Sequence, residues 1–279
     1  MATNCKRIAF INGKGGCGKT TSLFHISGVL SSMNKSVLVV DLDKQRNSTS
    51  LLLMNTPQEE KPTATMFDFF MGDSSVEATV AHSYFQSRGN AKAKYCGVDI
   101  AVSSVDFGDE RDIVFSMDGE DFDYSSLRKS FNKFINDRGY DYVLVDMPPS
   151  NATVNRLCFH CLVDYCIIPF SSDVFSMDGY GDLLSVINEA RVENPNLNVL
   201  GVFLSRYMSN CSVDRFIRDS LAESLGKIFI PVQIPLSSDV RESVMFGRPI
   251  SYYKQHSKSK SSYEQLVLEI ERRINKRYL

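Results

Sequence analysis

Short, nearly continuous apolar runs alternate along the chain with segments whose apolar residues recur every three or four positions. The runs are rich in β-branched residues, as is typical of strands covered on both faces. They predict strands over residues 7–12, 37–42, 98–102, 142–146, 165–169, 199–204 and 228–234. The segments with helical periodicity are 20–33, 124–137, 181–193 and 213–225. Strands that alternate with helices predict an α/β fold with a doubly wound, mostly parallel sheet flanked by helices.

Two segments interrupt this alternation. Residues 55–97 contain Pro57, Pro62 and scattered glycines, and we interpret them as an elaboration at the rim of the sheet. Residues 106–123 contain eight acidic residues and one basic residue, which favours a solvated connection. A metal site is the alternative for this acidic segment, but its carboxylates lack a compact ligand spacing.

Length and composition narrow the class of protein. The chain has 279 residues, of which 43% are hydrophobic, enough for one large core. Its start lacks the charged and then apolar pattern of a leader, and no apolar run approaches the length of a membrane span. We therefore expect a single domain over residues 1–279, without an N-terminal helix-turn-helix domain, in the cytoplasm. Seven cysteines, an odd number with no secretory signal, predict reduced thiols.

The stretch FINGKGGCGKTTS, residues 10–22, lies between a predicted strand and a predicted helix. Residues 13–20 match G-x-x-x-x-G-K-[ST], a loop whose backbone N–H groups surround phosphates because glycine permits positive φ and close approach. The motif assigns Lys19 to the β- and γ-phosphates and the Thr20 hydroxyl to Mg²⁺. An ordinary glycine-rich turn is the alternative. The motif leaves Lys14 without a role.

Two predicted strands end in carboxylates, at the edge of the sheet where the phosphate loop lies. Asp146 ends YDYVLVD and precedes two prolines, the pattern of a Walker B carboxylate near Mg²⁺; a loop or helix-capping aspartate is the alternative. Asp41 and Asp43 lie two residues apart at the end of another strand, so their side chains point the same way while the chain stays extended. We expect one to support Mg²⁺ and the other to orient the attacking water.

These motifs resemble those of the ParA/MinD group of deviant Walker A ATPases, and within it the ParA-type partition ATPases. Residues 14–20 read KGGCGKT, where the family has K-G-G-x-G-K-T, and VLVVDLDKQRNST resembles the family's D-x-D-P-Q-G-N-x-T. The stretches YDYVLVDMPPS, CIIPFSSDVFSMDGYGDLL from Cys166 and IPLSSDVRESVMFGRPISYY from Ile234 match in the family's order. The resemblance covers nearly the whole chain.

The resemblance implies that ATP or ADP and Mg²⁺ are the ligands, and it assigns roles to residues. Lys14 is expected to cross the interface of an ATP-bound homodimer and contact the phosphates held by the partner subunit. The expected catalytic residues are Lys14, Lys19 and Asp43, the last of which positions the water. The expected magnesium residues are Thr20, Asp41 and Asp146. The expected nucleotide contacts are Gly13, Lys14, Gly15, Gly16, Cys17, Gly18, Lys19, Thr20, Thr21, Arg206 and Pro235, the last two at the adenine.

The chain departs from the family pattern at three positions. Lys44 stands where the family has proline, and Arg46 stands where it has glycine. The geometry of this loop therefore does not follow from the resemblance. Near the expected adenine pocket, Ser205 replaces an asparagine that the family often has.

The resemblance also implies a function: slow ATP hydrolysis, non-specific DNA binding by the ATP-bound dimer, nucleoid association, and stimulation by a ParB-like centromere-binding partner. Residues 241–279 contain nine basic and four acidic residues, against 22 and 29 in the rest of the chain. This asymmetry is typical of a DNA-binding face or of a solvated basic helix. The candidate DNA contacts are Arg241, Arg248, Lys254, Lys258, Lys260, Arg272, Arg273, Lys276 and Arg277.

Other functions use the same motifs. A MinD-like membrane-associated ATPase and a ParA-like ATPase that positions another cargo are the alternatives. The C-terminal stretch YEQLVLEIERRINKRYL is amphipathic, and we favour packing on the core over membrane binding. Cys158 and Cys161 form a CxxC, which we interpret as buried thiols, with an iron–sulfur site as the alternative.

Overall fold

The computed structural model describes residues 5–86, 92–108, 123–149, 152–172, 185, 187–188, 190–192 and 194–276. In these ranges the strands are β1 Lys6–Phe10, β2 Val37–Asp41, β3 Val80–Phe85, β4 Lys94–Ala101, β5 Tyr142–Asp146, β6 Tyr165–Ser171, β7 Asn198–Tyr207 and β8 Phe229–Pro235. They form one sheet with the order β3-β4-β2-β5-β1-β6-β7-β8. Neighbouring strands run parallel except β3 and β4, which are antiparallel. The mostly parallel sheet confirms the predicted fold class.

Helices cover both faces of the sheet. Because side chains alternate along a strand, β1 sends Ala9 into one apolar cluster and Ile8 and Phe10 into the other. The helices are α1 Lys19–Ser32, α2 Asn47–Leu52, α3 Met66–Met71, α4 Tyr124–Arg138, α5 Ala152–Cys161, α6 Ser212–Leu225, α7 Ser238–Met245, α8 Ile250–Tyr253 and α9 Lys258–Lys276. The first cluster includes residues of α3 to α6, and the second includes residues of α1, α2 and α7 to α9.

Residues 55–97 lie at the rim of the sheet, as interpreted, but the sequence analysis missed the strands that they contain. They supply the antiparallel edge strand β3 and the first half of β4, which begins at Lys94 and not at residue 98. An edge strand pairs with a neighbour on one side only, and its side chains are not all buried. The sequence of β3, VAHSYF, therefore lacks the continuous apolar run by which the other strands were predicted. Most of the predicted helix 181–193 and most of the acidic segment 106–123 lie outside the described residues.

The C-terminal amphipathic stretch forms α9, and its apolar face is part of the core. Each of its inward residues is at most 9% exposed; they are Tyr263, Leu266, Val267, Ile270 and Ile274. Packing of this helix on α1 and β8 confirms the expected role in the fold. Cys158 and Cys161 are likewise buried, as predicted. No described helix combines the length and the apolar character that crossing a bilayer requires.

Candidate functional site

The glycine-rich loop joins β1 to α1 at the carboxyl edge of the sheet. Gly16 (φ 77°) and Gly18 (φ 89°) adopt left-handed conformations that only glycine takes without strain, and Gly18 directly precedes α1. No heavy atom lies within 4 Å of the position that a Cβ would take at Gly15 or Gly16. The loop therefore leaves open space beside backbone N–H groups at a helix N-terminus, which is the arrangement that binds phosphate.

A cavity of about 1060 Å³ opens over this loop. Predicted contacts Gly15, Gly16, Cys17, Gly18, Lys19, Thr20, Thr21, Asp43, Arg206 and Pro235 all line it. Sequence reasoning gave no role at the nucleotide to a second group of lining residues, from α1, α2, α7 and α9: Ser22, Leu51, Val240, Arg241, Val244 and Tyr263. The apolar members of this group have a helical spacing that indicates only a core face, so the sequence does not place them at the cavity.

The two lysines of the loop lie differently. Lys19 is buried, and its Nζ donates to the carbonyl oxygens of Asn12 (3.0 Å) and Lys14 (3.2 Å). Its ammonium group is therefore held inside the curve of the loop by acceptors that a phosphate can replace. Lys14 is half-buried, and neither it nor Gly13 is among the described residues that line the cavity.

Ser205 fastens the loop from β7. Its buried hydroxyl donates to the Cys17 carbonyl at 2.6 Å. A Cβ at Gly18 would meet this hydroxyl at 3.2 Å, so glycine also permits the close approach of the loop to β7. The serine that replaces the family's asparagine thus contacts the backbone of the phosphate loop.

Asp146, Thr20 and Ser48 form one buried polar group beneath the cavity. The Thr20 and Ser48 hydroxyls donate to Asp146 Oδ2 at 2.7 and 2.8 Å. Asp146 Oδ1 is buried and has no hydrogen-bond partner in the described structure. Burial raises the pKa of Asp146 to about 6, although the two hydroxyls lower it. An unpaired carboxylate oxygen beside a threonine hydroxyl fits a hard cation such as Mg²⁺.

Asp41 is adjacent to Asp146, across β2 and β5, but its oxygens have other partners. Oδ2 accepts from the Thr49 amide and hydroxyl, both at 2.8 Å, and Oδ1 accepts from the Asp43 amide at 3.0 Å. Burial, and then the charge of Asp146, raise the pKa of Asp41 to about 7. In this structure Asp41 holds the loop between β2 and α2, and a role as magnesium residue stays a prediction.

Asp43 lies in that loop, where it lines the cavity. Its Oδ1 accepts from the Gln45 amide at 3.0 Å, and its carbonyl accepts from the Ser103 hydroxyl at 2.8 Å. Arg46 ends the turn with φ 56° and ψ 32°. The loop thus keeps the left-handed conformation for which glycine is best suited, although arginine occupies the position.

Arg206 and Pro235, the expected adenine contacts, both line the cavity. Arg206 is exposed, has φ 56°, and donates from Nη1 to the Gly16 carbonyl at 3.5 Å. The structure therefore brings Arg206 both to the cavity and to the phosphate loop, and its role at the adenine stays a prediction.

The candidate DNA contacts are not equally accessible, and Arg273 corrects the prediction. Its side chain is buried, and the guanidinium donates to the carbonyls of Leu200 (2.7 Å), Lys227 (2.9 Å) and Phe229 (2.9 Å). Arg273 binds backbone carbonyls at the β7–β8 edge of the sheet and is therefore not available to DNA. Arg277 lies outside the described residues. The candidates that remain exposed are Arg241, Lys254, Lys258, Arg272 and Lys276; Arg248 and Lys260 are partly buried.

Comparison with known proteins connects this geometry to a family. A family model described as an AAA domain matches residues 5–199. The chain is 24% identical to the chromosome-partitioning ATPase Soj of Thermus thermophilus over 277 residues, which cover 98% of each chain. It is 28% identical to the chromosome partitioning protein ParA of Caulobacter vibrioides, covering 97% of this chain and 96% of the other.

Solved structures show the same fold. A Borrelia burgdorferi plasmid partition protein bound to AMPPNP superimposes with a TM-score of 0.74 at 20% identity, covering 97% of this chain and 99% of that one.

Proposed function

Because the chain belongs to the AAA domain family and is a P-loop ATPase of the ParA/MinD type, we propose that it is a DNA-partition ATPase. In this proposal it binds ATP and Mg²⁺, forms a homodimer on ATP, binds DNA without sequence preference, and hydrolyses ATP slowly until a ParB-like protein stimulates it. The observation that carries the proposal is the arrangement of the two lysines. Lys19 points into its own loop, whereas Lys14 lies outside the lining of its own cavity.

Binding of the triphosphate follows from the loop. Lys19 Nζ exchanges the Asn12 and Lys14 carbonyls for phosphate oxygens, which are stronger acceptors because they are charged. Backbone N–H groups of residues 15–19 add donors without using side chains. Thr20 and Asp146 would hold Mg²⁺, which supplies charge neutralisation at the phosphates. We expect Asp43, which lines the cavity, to orient the attacking water.

The proposed dimerisation depends on Lys14. We propose that Lys14, which does not line its own cavity, contacts the phosphates of a second subunit in the manner of an arginine finger supplied in trans. ATP then joins two subunits face to face, and loss of the γ-phosphate lets them separate. Dimerisation and hydrolysis become one coupled event.

DNA binding is proposed for the exposed basic residues of α7 to α9. Lysine and arginine side chains release counterions from the phosphate backbone, so binding falls steeply with salt and needs no base contacts. The ATP-bound dimer doubles the number of such side chains on one particle. We propose that the protein is cytoplasmic and associates with the nucleoid when ATP is bound.

The test is a DNA mobility shift with the full chain, with ADP, with ATP and with the Lys14→Ala variant. The proposal predicts retention of random-sequence DNA with ATP only, and loss of retention in the variant. Retention that does not depend on the nucleotide contradicts it. Liposome sedimentation with ATP is the parallel control, because binding to vesicles in place of DNA would favour a MinD-like function.

A further inference from the structure

Asn12, which no motif includes, contacts both lysines of the phosphate loop. Its backbone carbonyl accepts from Lys19 Nζ at 3.0 Å, and its side-chain Oδ1 accepts from the Lys14 amide at 2.9 Å. Its Nδ2 donates to the carbonyl of Pro169 at 2.9 Å. One half-buried residue therefore uses three polar groups to join the start of the loop to the end of β6.

The orientation of the Asn12 amide follows from its partners. An N–H group can only donate, so the atom that faces the Lys14 amide is the oxygen; a carbonyl can only accept, so the atom that faces Pro169 is the nitrogen. Both ends of the amide are satisfied at once, which fixes the side chain in a single orientation. The rigid connection runs from β6, through this amide, to the backbone of Lys14.

The hydrogen bond between the Lys14 amide and the Asn12 side chain also decides which backbone N–H groups of the loop are available to phosphate. The Lys14 N–H is occupied by Asn12, so it is not one of the phosphate-binding donors of its own subunit. We propose that Asn12 is a positioning residue that fixes where the Lys14 side chain leaves the loop. This inference rests on the proposed function, because it gives Lys14 a target in a second subunit.

In this proposal Asn12 acts by preorganising the start of the Lys14 side chain. The ammonium group of lysine is at the end of a flexible stem, and its effective concentration at a partner's phosphate depends on where the stem begins. Without the Asn12 side chain, the first turn of the loop keeps its glycines but loses the bond that orients Lys14. Nucleotide binding by Lys19 and the amides of residues 15–19 is then largely kept, while the step that needs Lys14 becomes slower.

The test is a double-mutant cycle between Asn12→Ala and Lys14→Ala in the full chain. Three quantities are measured: the dissociation constant of a fluorescent ATP analogue, the midpoint of ATP-dependent dimerisation by light scattering, and kcat. In the wild-type background we expect Asn12→Ala to weaken nucleotide binding by less than about threefold, but to lower kcat about tenfold. In the Lys14→Ala background we expect Asn12→Ala to lower the remaining kcat by less than about twofold.

Ser205→Ala is the matched comparison. Ser205 holds the same loop, but it contacts the Cys17 carbonyl and not Lys14. Its effect on kcat should therefore be the same in the wild-type and Lys14→Ala backgrounds, so that the two effects add fully in free energy. If Asn12→Ala also adds fully, or if it leaves kcat at the wild-type value, Asn12 does not act through Lys14 and the inference fails while the proposed function stands.

Two further outcomes are distinct. If Lys14→Ala itself dimerises and turns over like the wild type, the proposed function fails and the inference fails with it. If Asn12→Ala does not fold, as judged by circular dichroism, Asn12→Asp replaces it. The aspartate keeps the acceptor for the Lys14 amide and loses the donor to Pro169, so we expect a smaller loss of kcat that still disappears in the Lys14→Ala background.

Discussion

Asp41 and Asp146 lie opposite each other at the carboxyl ends of the parallel strands β2 and β5, and both side chains are fully buried. Burial raises both pKa values, to about 7 for Asp41 and about 6 for Asp146, above the value of 3.8 for an unfolded aspartate. The native state then binds more protons than the unfolded state between about pH 4 and pH 7. Stability from this pair is present at low pH and is lost as pH rises through the folded pKa values.

The first prediction is that the Asp146→Asn variant, without nucleotide, loses less stability than the wild type as pH rises from 5 to 7.5. Each pKa unit corresponds to about 1.4 kcal/mol, and the substitution removes one of the two buried charges. Urea unfolding at a series of pH values measures the free energy. If the free energy of unfolding of the variant falls with pH as steeply as that of the wild type, the buried charge of Asp146 does not contribute to the pH dependence.

Arg46 leads to the second prediction. Its φ of 56° costs an L-amino acid more than it costs glycine. We expect Arg46→Gly to raise the free energy of unfolding by about 1 kcal/mol, less the extra entropy that glycine gives the unfolded chain.

Asn34→Gly provides the control, because Asn34 is exposed and has φ 59°, and asparagine tolerates this conformation. Its unfolding free energy should change by less than about 0.5 kcal/mol. Equal changes in the two variants would mean that side-chain type is irrelevant at these turns. ATP turnover of Arg46→Gly also shows whether the arginine affects hydrolysis.

Neighbouring arginines on α9 give the third prediction. Arg273→Ala leaves the carbonyls of Leu200, Lys227 and Phe229 without their donor, and we expect a loss of about 3 kcal/mol in unfolding free energy. Arg272 is exposed, and its partner Glu269 keeps its contact with Arg273 Nε when Arg272 is removed, so Arg272→Ala should cost less than about 1 kcal/mol. Thermal unfolding of both variants tests the contrast, and a similar loss in the two would contradict the structural role of Arg273.

The fold and the phosphate loop are largely predictable from the sequence, because local patterns specify them. Continuous β-branched runs indicate buried parallel strands. The glycines before Lys19 and Thr20 indicate a phosphate loop, because only glycine combines positive φ with close approach of the backbone. Long-range packing specifies the rest. Tyr263 reaches the cavity and Arg273 reaches the sheet edge from the same helix, and periodicity in one segment does not say which distant carbonyl or cavity a side chain meets.

For the residues of the loops, too, the sequence predicts part of the role and long-range packing determines the rest. The spacing of Asp41 and Asp43 predicts that both face the site, but the hydrogen bonds from Thr49 that occupy Asp41 depend on how α2 packs. Ser205 and Asn12 carry no motif, yet each binds a carbonyl or an amide of the phosphate loop. Polar side chains that flank a motif are therefore worth testing before the motif alone is taken as the site.

The central claim is that Lys14 acts in the site of another subunit, and mixing two inactive variants tests it most directly. Lys14→Ala keeps Asp43 in its own site, and Asp43→Ala keeps a lysine to donate. We expect each variant alone to show almost no ATP turnover, and an equal mixture to recover up to roughly a quarter of the wild-type rate, because at most half of the dimers are mixed and each of these has one complete site. A mixture no more active than the separate variants would place the work of Lys14 in its own subunit and contradict the account.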